Sequence, residues 1–293
     1  MKKNCLLFGA SGFIGSHVSD ALQRRNYNII ASDKIKGSWI SKNVNFVKID
    51  ITKEAQLKKI KSKVDFIIIF SAISDIGESN QNPNKTVKTN VVGLLNILNL
   101  AKKLKVKKII FASTVYVNSS KGGFYKSSKI AGESLIKEFK NLYNLNYTII
   151  RFGSVYGPRS SINNGIYKIL YNALKKKKIE YFGSSENIRE YIHVLDAAEA
   201  TCDLMDKKFD NQIITLTGRE STKVKDLLLM LKDIMSIKKS IKFSKKNLPG
   251  HYIRTPYNLK DDLSRKYSPQ LHVDLAQGLV QTINFIKKEN KIK

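Results

Sequence analysis

Three glycines at a fixed spacing constrain this chain more than any other feature. Gly9-Ala10-Ser11-Gly12-Phe13-Ile14-Gly15 follows an apolar run, Asn4 to Phe8, and opens a helical pattern that continues to about Arg25. Strand, glycine turn and helix in that order begin a βαβ unit. The first glycine permits the tight turn, the second lets backbone approach a pyrophosphate, and the third lets helix pack on strand. Free N–H groups and the helix dipole favour phosphates at that N-terminus. Asn28 to Asp33 reads as the second strand, and its last residue lies 18 positions beyond Gly15. A carboxylate there hydrogen-bonds an adenosine ribose 2′-hydroxyl and repels a 2′-phosphate, so NAD is expected over NADP. Lys34 and Lys36 pull the other way, since a cation beside Asp33 can accept a phosphate.

The alternation continues. Val44 to Ile49 reads as a short strand, ended by Asp50-Ile51, and Lys53 to about Lys61 as a helix. Val64 to Phe70 has the β-branched character of a parallel strand buried on both faces. Ser71-Ala72 follow it, where the C-terminal edge of a sheet should face a cofactor. Pro83, well placed in a first turn, opens a helix predicted to reach about Leu104. Asn90 sits inside that helix between apolar neighbours, and its amide needs a partner, either backbone or cofactor. Lys107 to Ser113 is a strand, a helix runs from Gly122-Gly123 to about Leu142, and Thr148 to Phe152 is the next strand. The fold class is therefore α/β, a Rossmann-type doubly wound parallel sheet.

After Arg151 the rhythm changes. Ser154 to Arg159 is a turn-rich loop, and helices are predicted near 162–178, 196–207, 222–236, 259–266 and 273–288. A loop carries Pro249-Gly250, and Ile213 to Leu216 reads as one more sheet strand. Residues 1–156, with a returning segment of about 188–217, are expected to form the NAD-binding domain. Residues 157–187 and 218–293 are expected to form a smaller α/β substrate-binding domain.

The chemistry is carried by Tyr125-Lys126-Ser127-Ser128-Lys129. Tyr125 and Lys129, four residues apart, lie one above the other on one helix face. A nearby ammonium favours the phenolate and lowers a tyrosine pKa from its usual ~10. That makes an acid–base group usable near neutral pH. In a lysine-rich chain this spacing also arises by chance. Its weight here comes from the glycine turn upstream and from Thr114 at the end of a predicted strand.

The net charge of +28 invites a nucleic-acid reading. The lysines mostly punctuate amphipathic helices, as in Leu57-Lys58-Lys59-Ile60-Lys61, and form no aromatic-interleaved stripe. No nucleic-acid partner is therefore expected, although the charge should steer an anionic substrate inward. No apolar run reaches the ~20 residues that a membrane span needs, and Gly9 breaks the run after Met1-Lys2-Lys3 too early for a signal peptide. Cys5 and Cys202 offer no metal spacing and no disulfide framework. No metal is expected, and the location expected is a reducing cytoplasm.

Taken together, these motifs resemble the extended short-chain dehydrogenase/reductases, in particular the NAD-dependent nucleotide-sugar epimerase/dehydratase family. The likeness spans nearly the whole chain: the glycine turn, Asp33, Asp50-Ile51, Thr89 to Gly93, Ser113-Thr114, Tyr125 with Lys129, Val155 to Arg159, and Arg189-Glu190-Tyr191-Ile192-His193-Val194. The resemblance implies that Gly9, Ser11, Gly12, Phe13, Ile14 and Gly15 hold the pyrophosphate of NAD. By the same resemblance Asp33 binds ribose, Asp50 and Ile51 meet adenine, and Phe70, Ser71, Ala72 and Asn90 line the cofactor. Tyr125 and Lys129 would be both catalytic and cofactor-binding, with Thr114 stabilising charge on the reacting oxygen. Arg189 would pair with the substrate diphosphate, Ser154 stands where a substrate-contacting asparagine is common, and Arg254 is the candidate for the second phosphate.

Two departures stand out. Thr114 and Tyr125 are only 11 residues apart, closer than the family pattern, so a loop that often contacts the sugar is shortened. If Val115-Tyr116 matches the family's Val-Tyr-Gly, the catalytic position falls on Ala112 and its hydroxyl is missing; if Ser113-Thr114 matches the end of the strand, Thr114 supplies it. Dehydratases of the family place Asp-Glu after the catalytic threonine, and Val115-Tyr116 stand there, so dehydration is not expected. The reading is an NAD-dependent epimerase of a nucleotide-diphosphate sugar, at C4 through a transient keto sugar. The alternatives are an NAD(P)H-dependent reductase of a keto-deoxysugar and a non-catalytic NAD-sensing regulator. A homodimer is implied by the resemblance, as is a destination in polysaccharide precursors.

Overall fold

Side chains alternate along strand β1 (Asn4–Phe8) between two apolar layers. Cys5 and Leu7 enter one core, and Leu6 and Phe8 the other. A one-residue slip would exchange the two sets, so the register is tightly specified. The structure, a computed structural model, describes residues 2–244, 251–257, 264–269 and 272–292. Around β1 lie β2 (Asn28–Asp33), β3 (Asn45–Lys48), β4 (Phe66–Ile69), β5 (Lys108–Thr114), β6 (Asn146–Phe152), β7 (Gln212–Leu216) and β8 (Ser264–Tyr267). They form an eight-stranded sheet in the order β8-β7-β6-β5-β4-β1-β2-β3. Each neighbouring pair is parallel. The chain order reverses between β1 and β4, and a crevice opens beyond the C-terminal ends of strands at such a switch point.

One face of the sheet is covered by Phe13–Arg24 and Val194–Asp203, the other by Gly93–Lys103 and Gly123–Tyr143. A third core lies apart from the sheet. It joins Tyr156, helix Gly165–Lys176, helix Val224–Ile234 and helix Leu275–Asn290 through Leu170, Leu228, Leu231 and Leu279, which are fully buried.

Several expectations are corrected. The helix after β3 is one turn, Glu54–Leu57. The helix from Pro83 is interrupted by a π-helical turn, Lys88–Val92, with Asn90 at its centre. An unpredicted helix, Ile76–Gln81, precedes it, capped by Asp75, whose carboxylate accepts the Glu78 N–H at 2.7 Å. Residues 264–266, expected to end a helix, form β8 with Tyr267 instead, because the exposed edge of β7 pairs with them. The remainder of that expected helix, and Pro249-Gly250, lie outside the described residues.

Candidate active site

The glycine turn is shaped by contacts that leave no space. Gly9 has φ +79°, and a Cβ there would stand 2.6 Å from the Ser71 nitrogen. A Cβ on Gly15 would stand 2.0 Å from the Gly9 carbonyl oxygen. The turn therefore holds β1, β4 and the first helix in close approach. Gly12 is the N-cap of that helix, so the first-turn N–H groups, Phe13, Ile14 and Gly15 among them, have no acceptor four residues back. Together they form a positive cradle suited to a phosphate. Phe70 and Ser71 face the cradle across the switch point, Ala72 follows, and the Phe70 ring packs on Phe152 at 5.8 Å.

Asp33 stands at the end of β2. Its carboxylate accepts the Ser11 N–H at 3.1 Å and the Lys34 N–H at 2.7 Å. Burial raises its pKa, against the pull of those two N–H groups and the Lys34 charge. Lys34 itself leans to Asp50 at 3.4 Å, and Lys36 lies 5.9 Å from the Phe46 ring. Asp50 is further engaged by the Thr52 N–H and hydroxyl, and Ile51 is buried with its carbonyl accepting from Asn96 at 2.8 Å.

Asn90 is spent on backbone. Its Oδ1 accepts the Ile73 N–H at 2.8 Å, and its Nδ2 donates to the Ile73 carbonyl at 2.9 Å and to Ser128 Oγ at 2.9 Å. Ser128 in turn donates to the Tyr125 carbonyl at 2.7 Å. Of the two partners the sequence left open, the structure thus gives Asn90 the backbone. It ties the segment after β4 to the first turn of the tyrosine helix.

The tyrosine helix, Gly123–Tyr143, brings Tyr125 to the C-terminal end of β5. There the Thr114 hydroxyl, which accepts the Tyr116 N–H at 3.3 Å, stands beside the phenol and pulls its pKa down. Of the two alignments that the short loop allows, this geometry supplies a hydroxyl at Thr114. Lys129 is buried, donates to the Ala112 carbonyl at 2.6 Å, and lies 5.9 Å from the Tyr125 ring centroid. The expectation of a lowered tyrosine pKa is corrected: burial pushes Tyr125 up to about 12, against the opposing pull of the Thr114 hydroxyl. Lys129 falls to about 8 through burial, resisted by the Glu133 charge. The desolvation that was left out of the sequence argument outweighs the ammonium, which is aimed at a carbonyl.

Glu133 is the next residue on the same helix face. It accepts Ser113 Oγ at 2.5 Å, Arg151 Nε at 3.0 Å and Arg151 Nη2 at 2.8 Å. This buried pair locks the tyrosine helix to β5 and β6 beside Thr114. Sequence reasoning passed over it, although Tyr125, Lys129 and Glu133 repeat at the i, i+4 spacing.

Opposite Tyr125 stands an aromatic wall that the sequence did not disclose. Tyr116 packs 6.5 Å from Tyr125 and 4.7 Å from Tyr252, and its hydroxyl meets His251 Nδ1 at 2.8 Å. Ser154 Oγ lies 3.2 Å from the Tyr252 hydroxyl. Arg189 stacks on Tyr252 at 4.3 Å and donates to the carbonyls of Ile188, Tyr252 and Ile253. The expected diphosphate ligand thus holds the 251–257 strap here. Glu190 fastens the same strap through Tyr257, and accepts from Thr217 at 2.6 Å and Lys266 at 2.9 Å. Arg254 is exposed on the strap.

These parts match a family model described as the NAD dependent epimerase/dehydratase family over residues 5–216. The chain belongs to this family. NAD is the family's cofactor, and the tight glycine cradle and Asp33 fit it. Among relatives, the chain is similar to a putative UDP-glucose 4-epimerase of Methanocaldococcus jannaschii, at 28% identity over 98% of this chain and 99% of the relative. It is also similar to a UDP-N-acetyl-alpha-D-glucosaminuronate decarboxylase of Bacillus cytotoxicus, at 27% identity over 98% and 99%. Among solved structures, UDP-glucose 4-epimerase of Thermotoga maritima with UDP-glucose superposes with a TM-score of 0.87 at 27% identity, covering 98% of this chain and 99% of that one. Among the described residues no cluster of three or more His, Cys, Asp or Glu side chains could hold a metal, and no helix is long and apolar enough to cross a membrane.

Proposed function

We propose that this chain is an NAD-dependent epimerase of a uridine-diphosphate sugar, acting at sugar C4 through a transient keto sugar. The observation that carries the reading is the Tyr125–Lys129 pair on one helix face, with the Thr114 hydroxyl beside the phenol, at the sheet edge that also holds the glycine cradle. NAD, when bound, supplies a reversible two-electron acceptor for the sugar carbon. With the positive charge of an oxidised nicotinamide beside it to favour the phenolate, Tyr125 would take the proton from the C4 hydroxyl and return it to the same oxygen after the sugar has turned. Thr114 donates a hydrogen bond to that oxygen as charge develops. Lys129 orients the cofactor's ribose from its anchor on Ala112 and keeps a positive charge near the phenol.

The named relatives include 4-epimerases and a decarboxylase of UDP-sugars, and these support an epimerase over a free-standing reductase. Gly9, Ser11, Gly12, Phe13, Ile14 and Gly15 would serve the pyrophosphate, and Asp33 the ribose. Asp50 and Ile51 would edge the adenine site. Ser154, Arg189 and Arg254 would serve the substrate, with Arg189 exchanging strap carbonyls for the diphosphate. The division of labour follows the cores: the sheet for NAD, the third core and the strap for the sugar nucleotide. We also propose a cytoplasmic enzyme feeding polysaccharide precursors.

A homodimer is the proposed assembly. The helices over 83–103 and Gly123–Tyr143 expose Val87, Val92, Leu95, Phe124 and Ile130, an apolar surface suited to a second copy. The test of function is to denature freshly purified protein, identify released nucleotides by mass spectrometry, and assay interconversion of UDP-glucose and UDP-galactose without added NAD. Near-stoichiometric NAD and turnover without added cofactor are expected. An empty protein that turns over a keto sugar only with added NAD(P)H would sink the epimerase in favour of the reductase.

A further inference from the structure

Trp39 is the single tryptophan of the chain and lies in the loop after Asp33. Nothing in the proposed chemistry uses it, yet it is the meeting point of three elements. Its ring stacks under the Arg159 guanidinium at 5.0 Å and packs on Phe285 of the C-terminal helix at 5.6 Å. Arg159 is held in turn by Asp20 of the first helix at 2.7 Å. Its neighbour Pro158 is pinned to the same helix by His17, whose Nε2 meets the Pro158 carbonyl at 3.0 Å. Behind Trp39, Ser11 ties the loop to the glycine turn: its hydroxyl donates to the Ile35 carbonyl at 2.8 Å and accepts the Gly37 N–H at 2.9 Å. Ser11 N–H binds Asp33 itself.

We propose that Trp39, Arg159 and Phe285 form a latch that holds the Asp33 loop shut against the adenosine half of the crevice, so that NAD leaves only when the latch opens. The inference rests on NAD occupying that crevice. The physical argument is one of connectivity. The loop carrying the ribose ligand has two anchors, Ser11 on the cradle and Trp39 on the segments that follow β6. Residues 33–39 cannot swing outward while Trp39 keeps its contacts with Arg159 and Phe285. A ligand that needs the loop closed is bound more tightly when closure is already favoured, and in return it tightens the latch. An epimerase restores its cofactor every turnover, so a latch of this kind costs it nothing in throughput. Trp39 and Arg159 are positioning residues in this scheme, because they act through the loop.

The test is the dissociation rate and affinity of NAD, measured on the full chain by stopped-flow displacement and calorimetry. Wild type, Trp39→Ala, Trp39→Phe and Asp20→Asn are compared, with the melting temperature of each recorded with and without NAD. A cation–π contact and an aromatic contact together correspond to about a tenfold effect, which is about 1.4 kcal/mol. Trp39→Ala should release NAD at least about tenfold faster, with Trp39→Phe restoring part of the loss and Asp20→Asn falling between. Emission from Trp39 in the wild type should shift as NAD is displaced. If Trp39→Ala keeps the wild-type dissociation rate, the latch is refuted, even where its melting temperature has dropped, since that drop alone marks a packing role. If the wild type itself has no affinity for NAD, the reading of the crevice fails and takes the latch with it.

Discussion

Replacing Glu133 by Gln tests whether the buried ion pair beside Thr114 supports both stability and the Lys129 charge. The side chains of Arg151 and Glu133 are 6% and 7% exposed, so solvent screens the pair little. Removing one partner of a buried pair costs ~3–5 kcal/mol, because the other charge stays in a poorly polarisable site. Glutamine keeps one acceptor for Ser113 or Arg151, which places Glu133→Gln near the lower end, at ~3 kcal/mol. Against a typical domain stability of ~5–15 kcal/mol this is large enough to read from a urea midpoint. Arg151→Met alone should cost a similar amount. The double variant should lose less than the sum, since no unbalanced charge is left, and a double-mutant cycle reports that coupling. A second consequence falls on Lys129. Glu133 is the charge that resists its depression to about 8, so Glu133→Gln should lower the Lys129 pKa further. The alkaline limb of activity should then move to lower pH. A Glu133→Gln variant that loses under ~1 kcal/mol, with additive losses in the double variant and an unmoved alkaline limb, would refute the reasoning.

Four further outcomes are expected. Tyr125→Phe should lower kcat by ~10²–10⁴ while NAD content, read by mass spectrometry, stays near one per chain. Gly15→Ala should abolish NAD binding or folding, since its Cβ would stand 2.0 Å from the Gly9 carbonyl, and circular dichroism with NAD titration separates the two. His17 and His193 are both held down to about 4 by burial, so the unfolded chain takes up protons between 6.5 and 4 that the folded chain refuses. Stability should fall as pH drops through that window, by up to ~3 kcal/mol per histidine, and His17→Gln should flatten the profile in acid denaturation. Leu95→Lys with Ile130→Lys should convert a dimer to monomers by sedimentation; dimers that survive both changes would place the interface elsewhere.

What the sequence disclosed was what steric necessity writes locally. Gly9 and Gly15 are legible because no other residue fits, and the β4 run is legible because burial on both faces demands unbroken apolar residues. Tyr125 and Lys129 were legible as a pair through helical spacing, given the glycine turn upstream and Thr114 at the strand end. What they do to each other was not, because a pKa depends on burial and on where Nζ points, and Lys129 points to Ala112. The strap over 251–257 and the edge strand β8 were illegible for a different reason. Both exist through partners far along the chain, Arg189 and Glu190 for one and β7 for the other. Asn90 announced that it needed a partner, and only the fold could name Ile73.

The parallel partner of β7 comes from residues 264–267, and the strap that faces Tyr125 lies in the interval between the two. A chain made from its N-terminus therefore has the cradle, Asp33, Thr114, Tyr125 and Lys129 in hand by residue 216, while the strap and the edge strand β8 are still to come. Domains generally fold as units, N-terminal ones first during synthesis. The order of synthesis thus places the glycine cradle and the tyrosine helix ahead of the strap that stands opposite Tyr125.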